Sequence, residues 1–120
     1  MIEEYKFGTI TIDGINYDTD VQVDWNGEVS DWSRPQDHLI GAEDVKRAVD
    51  KNPETIVIGT GEGGMAIVVE GAKIFIQEKG IKLLVDKTEE AVKTFNILKE
   101  DSPVEEGRQE RVVGLFHLTC

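Results

Sequence analysis

The chain has little of what the commoner site chemistries require. Its one cysteine, Cys120, excludes an intramolecular disulfide and a cysteine-rich zinc site, leaving only a bridge between two chains formally open. With two histidines, His38 and His117, no set of His, Cys and carboxylates has metal-ligand spacing, and no metal or cofactor is expected. No run approaches the ~18 apolar residues of a membrane span. The start, Met1 to Tyr5, is acidic and lacks the basic and apolar regions of a signal peptide, so the expected compartment is the cytoplasm. Basic residues are scarce: 13 against 24 acids, a net charge of -11. A field of that sign repels phosphate backbones and anionic lipid, which argues against nucleic acid and membrane partners. At 120 residues, the length fits one domain, 1–120, with a single core.

What is present begins as a β-meander. Tyr5 to Ile12 is rich in aromatic and β-branched residues, Asp13-Gly14 supplies a two-residue turn, and Ile15-Asn16-Tyr17 returns. Val21 to Trp25 and Glu28 to Trp32 flank a second turn at Asn26-Gly27. A loop from Ser33 to Gly41 leads to a short helix, Ala42 to Lys51, with Val45, Ala48 and Val49 on one stripe. Asn52-Pro53 stops it.

From there strands and helices alternate. Strand Thr55–Ile58 runs into the corner Gly59-Thr60-Gly61-Glu62-Gly63-Gly64, then a helix from about Met65 to Lys79 closed by Gly80. Gly71 weakens that helix by ~1 kcal/mol relative to alanine. Strand Ile81–Val85 follows. Thr88 is placed to cap a third helix buried through Ala91, Val92, Phe95 and Leu98. Asp101 to Gly107 reads as an acidic exposed loop, and Arg111 to Leu118 as the last strand. The fold class expected is α/β (α+β): a layered domain with helices packed on a sheet.

The glycine corner is the leading candidate site. Four glycines in six residues let the backbone turn sharply and leave N–H groups open to a ligand. The spacing Gly59, Gly61, Gly64 matches a nominal G-x-G-x-x-G, and Asp86 ends the next strand where a ribose-binding acid would sit. Against a dinucleotide stand the single βαβ unit and the charge of Glu62 where a pyrophosphate would lie. No Lys-Ser/Thr follows the glycines, so this is no Walker loop. A tight structural turn and a small anion held with Arg111 or Arg34 are the two other readings. In the site reading Thr60 supplies a hydroxyl and Glu62 a base. Trp32, Arg34 and His38 share one loop: an aromatic wall, an anion clamp and a base, or a core cap, an arginine paired with a surface acid and a solvated histidine. His117 and Cys120, three apart on a strand, would face opposite sides, which argues against a dyad. Asp18, Asp20, Asp24 and Glu28 lack a calcium-loop pattern and read as solvated turn acids.

Trp32-x-Arg34, Gly59-Thr60-Gly61, Thr88-x-x-Ala91 with Asn96, and His117-Leu118-Thr119-Cys120 occur in this order across nearly the whole chain. In this the sequence resembles the single-domain family of unknown function that includes the adipogenesis-associated domain protein and, more distantly, a mitochondrial complex I assembly factor of animals. The resemblance implies a three-layer fold with a mixed central sheet, helices on one face, and a β-meander plus a helix on the other. It further implies a last strand inserted in the sheet and antiparallel to the rest. That orientation would put Arg111 beside the glycine corner and His117 ~20 Å away. No chemistry comes with the resemblance. A non-catalytic domain acting through a protein partner or self-association is the first functional expectation. A small-molecule or anion site at Gly59–Gly64, lined by Trp32, Arg34 and Arg111, is the second.

Overall fold

The computed structural model describes residues 1–36, 38–100 and 110–120. The expected loop from Asp101 to Gly107 lies outside the described residues. Three strands come first: β1 (Ile2–Lys6), β2 (Thr9–Ile12) and β3 (Ile15–Tyr17), an antiparallel sheet in the order β1-β2-β3. The run read as one strand from Tyr5 to Ile12 is split by a turn at Phe7-Gly8, where Gly8 takes a φ of +85°. Asp13 and Gly14 both have positive φ, as a two-residue hairpin of matching twist demands.

The central sheet is formed by β4 (Val21–Val23), β5 (Val29–Asp31), β7 (Thr55–Thr60), β9 (Lys82–Asp86) and β10 (Val112–His117). Its order is β5-β4-β10-β7-β9. Helix α1 (Ala42–Val49) is flanked by β6 (Leu39–Ile40) and the Asn52-Pro53 stop. The expected helix from Met65 begins later. Ile67-Val68-Val69 is a β-branched run, and its first two residues form β8 (Ile67–Val68), paired parallel with β6. Helix α2 (Glu70–Glu78) starts only after it, and α3 spans Thr88–Glu100.

Alternation along β7 and β10 divides the core in two. Ile56, Ile58, Val113 and Leu115 pack with Val45, Ala48, Ala72 and Ile76 of α1 and α2. Val57, Val112 and Phe116 pack with Ile10 and Ile12 of the meander and Ala91 and Phe95 of α3. The result is three layers: two helices, a mixed sheet, then the meander with the third helix. Among the described residues no helix is long and apolar enough to cross a membrane.

The last strand is inserted between β4 and β7, but its direction corrects the expectation. It is antiparallel to β4 and parallel to β7, with Val112 opposite Thr55 and His117 opposite Thr60. The reason lies in α3. Leaving β9 at the carboxyl edge, its 13 residues travel ~20 Å, the length of a six-residue strand. The chain is thereby returned to the amino edge and re-enters the sheet pointing the same way.

Candidate functional site

Strand direction decides which side chains meet. The parallel strands β7, β9 and β10 end together, so the Gly59–Gly64 corner, Asp86 to Thr88, and His117 to Cys120 share the carboxyl edge. Arg111 lies at the opposite edge. There its Nε donates to Asn52 O at 3.1 Å and its Nη1 stands 3.5 Å from Glu54 Oε1. The structure therefore does not bring Arg111 to the corner, and it brings His117 there instead.

The glycines form a packed elbow. An added Cβ on Gly59 would lie 2.8 Å from Thr88 Oγ1 and 2.9 Å from Thr88 Cα, so only hydrogen lets α3 start against β7. Gly61 has φ +101°, and its absent Cβ leaves room for Thr119 O and His117 Cδ2. Three of the main-chain N–H groups expected to be open are engaged. Gly61 N–H donates to Thr88 Oγ1 at 2.8 Å, Glu62 N–H to Thr119 O at 3.0 Å, and Gly64 N–H to Gly61 O at 3.3 Å. The Thr60 hydroxyl donates to Asp86 O at 3.0 Å. Thr88 does not serve as a helix cap. Its buried hydroxyl links two strand ends, accepting from Gly61 N–H and donating to His117 O at 2.5 Å.

Beside this elbow sits a buried polar cluster. The Arg34 side chain is 1% exposed, with Cζ 4.3 Å from the Trp32 ring centroid. Trp32 in turn is fixed by its indole N–H to Asp44 O at 2.8 Å and its main-chain N–H to Asp20 O at 2.8 Å. Arg34 Nη1 pairs with Asp20 Oδ2 at 2.9 Å, and His117 Nδ1 approaches the same oxygen at 2.7 Å. Arg34 Nη2 stands 3.0 Å from His117 Nδ1. Leu118 N–H donates to Asp20 Oδ1 at 2.8 Å, so both carboxylate oxygens are occupied. His117 is 2% exposed, and its Nε2 has no hydrogen-bond partner among the described residues. The exposed ring of His38 meets the His117 ring edge-on, centroids 6.3 Å apart.

Asp20 is the residue that reading the sequence missed. It was expected to be solvated, yet its carboxylate organises the cluster. Asp20 is half-buried, and Asp24 is buried outright, with Lys51 Nζ at 3.4 Å from its Oδ2. The available signal for Asp20 was Arg34 itself, since a guanidinium held against a tryptophan in a core needs a counter-charge.

The surroundings are negative. Tyr5, whose hydroxyl donates to Leu118 O at 3.1 Å, has its pKa raised, first by burial and then by the charges of Glu62, Glu89 and Asp20. A cleft of about 260 Å³ lined by Thr19, Asp20, Asp31, Trp32, Ser33 and Arg34 opens at the cluster's outer side. Among the described residues no three His, Cys or acidic side chains are placed to hold a metal.

Solved structures share this architecture. A conserved hypothetical protein of Pyrococcus horikoshii superposes with a TM-score of 0.80 at 22% identity, covering 100% of this chain and 99% of that one. A Bordetella parapertussis protein gives 0.77 at 25% identity, covering 98% and 94%. A Bordetella pertussis protein described as an Mth938-like domain gives 0.73 at 20% identity, covering 98% and 85%. A family model matches residues 2–117, and the chain belongs to that family, the proteins of unknown function DUF498/DUF598.

Proposed function

We propose that the chain is a cytosolic binding domain whose ligand site is the Asp20–Arg34–His117 cluster at the carboxyl edge of the sheet. One observation carries this reading: the buried Nε2 of His117 lacks a hydrogen-bond partner among the described residues, while Nδ1 is held at 2.7 Å by Asp20. Leaving such a group unsatisfied costs about 1–3 kcal/mol. A histidine kept only for packing has no need to bear that cost, whereas one awaiting a ligand does. The position also fits, because open α/β sheets bind ligands beyond the carboxyl ends of their strands. Titrating mixtures of small metabolites into the ¹⁵N-labelled protein tests it. The expected result is shifts of the Gly61, Thr88 and Leu118 amides that a His117→Phe variant, itself shown to be folded, no longer gives. Spectra unchanged by every mixture would remove the reading.

A second reading, an interaction or assembly module, is favoured by a separate surface. Leu39 and Ile67 are paired across β6 and β8 and both exposed, as is Met65. A shallow groove of about 220 Å³ lined in part by Pro35, Leu39 and Val69 adjoins them. The resemblance to the adipogenesis-associated domain protein and a complex I assembly factor supports a protein partner. Sedimentation over a wide concentration range tests self-association: Ile67→Lys should abolish any dimer, and a strictly monomeric parent counts against that form of it.

A further inference from the structure

The tautomer of His117 narrows the chemistry of that same site. Two groups approach its Nδ1, and they make opposite demands. A guanidinium only donates, so a bond from Arg34 Nη2 at 3.0 Å requires a bare Nδ1. The Asp20 carboxylate only accepts, so its approach at 2.7 Å requires Nδ1–H. The shorter contact decides. Two acceptor lone pairs at 2.7 Å would repel strongly, whereas Arg34 already has the same carboxylate oxygen at 2.9 Å and need not bond the ring. Nδ1 therefore carries a proton, and in the neutral ring Nε2 presents a lone pair.

We infer that the ligand of this cluster is a hydrogen-bond donor, a neutral alcohol or an amine, and not an anion, with His117 Nε2 as its acceptor and Asp20 as the positioning residue. This rests on the cluster being a ligand site. The charges agree. Arg34, the cation at the site, is matched by Asp20, and Glu62 and Glu89 add negative potential that already acts on Tyr5. The elbow amides that would have cradled an anion donate to Thr88, Thr119 and Gly61 instead. The guanidinium and three of the elbow amides are thus engaged, and at His117 a lone pair is what is left open.

Long-range ¹H–¹⁵N spectra of the imidazoles in the intact protein test this, with glycerol and ethanolamine as donor probes and acetate and inorganic phosphate as anion probes. The expected result is an Nδ1–H tautomer for His117 at neutral pH, with an Nε2 resonance that moves toward the hydrogen-bonded range with the donor probes and not with the anions. Asp20→Asn should mix the two tautomers and weaken the donor response, while Arg34→Lys leaves the Nδ1–H form dominant. An Nε2–H tautomer, or a response to anions alone, overturns the donor assignment and leaves a ligand site standing. A bare Nε2 that no probe of either kind reaches overturns both.

Discussion

Gly61→Ala tests the elbow on which the site is built. The residue has φ +101°, a region open to glycine and costly for any residue with a Cβ, by roughly 1–3 kcal/mol. The new methyl would also sit 2.5 Å from Thr119 O and 3.0 Å from His117 Cδ2, so the segment after β10 has to move. Moving it loses the bond from Glu62 N–H to Thr119 O, worth about 1 kcal/mol. Together these amount to about 2–4 kcal/mol out of the ~5–15 kcal/mol that stabilises an ordinary domain. Urea unfolding followed by circular dichroism measures it. With a slope of ~1–3 kcal/mol per M, a loss of ~3 kcal/mol lowers the midpoint by roughly 1–3 M. Trimming the Thr119 side chain in the same background restores nothing, because the colliding atom is a main-chain oxygen. A midpoint equal to the parent's, or a rescue by Thr119→Gly, would refute the packed elbow.

Gly71→Ala behaves oppositely: the site is exposed, near the start of α2, and a methyl meets nothing within 4 Å, so the midpoint should rise by the equivalent of ~0.5–1 kcal/mol. Phe95→Ala removes a fully buried ring packed at 84° on Phe116, 5.8 Å between centroids, and should cost ~3–5 kcal/mol in the same assay. Arg111→Ala should change stability by less than ~1 kcal/mol and leave the His117 resonances in place, since its exposed ion pair with Glu54 lies at the far edge; a shifted His117 spectrum would contradict the strand direction. Tyr5 should titrate above 10.0, the ordinary phenol value, in an ultraviolet absorbance titration. The folded chain then holds that proton more tightly than the unfolded chain, so its contribution to stability is intact below pH 10.0 and lost as pH rises through the folded value. Tyr5→Phe should flatten that alkaline loss.

Most elements were legible because local chemistry specified them. Asp13-Gly14 is a turn on dihedral grounds, and Pro53 ends α1 wherever that helix packs. The strand Thr55–Ile58 is apolar on both sides because both faces of β7 are covered. The β6–β8 pair was not legible as a pair. Two-residue strands carry no period, and Leu39 meets Ile67 only after α1, β7 and the glycine corner have brought the chain back. The polar cluster was half legible. Trp32 and Arg34 stood out as residue types, but their partners are a turn aspartate and the end of the last strand. Asp20 and His117 are 97 residues apart, and no local signal spans that distance.

The decisive error concerned direction, and composition could not have prevented it. Val112 to His117 alternates between two cores, and that alternation reads the same in either sense, because reversing a strand leaves each residue on its own face. The information lay in the preceding helix. A connection that returns the chain by one strand length gives a parallel neighbour, and α3, with its 13 residues, is such a connection. The two crossovers then form a consistent pair. From β7 to β9 the chain moves one way across the sheet over α2, and from β9 to β10 it moves back over α3. Crossovers of one hand taken in opposite directions place their helices on opposite faces, and the two cores show that division. Once β10 points this way, its last residue stands at the carboxyl edge beside Thr60. A histidine there, and not the arginine at the strand's other end, is what the sheet delivers to the site.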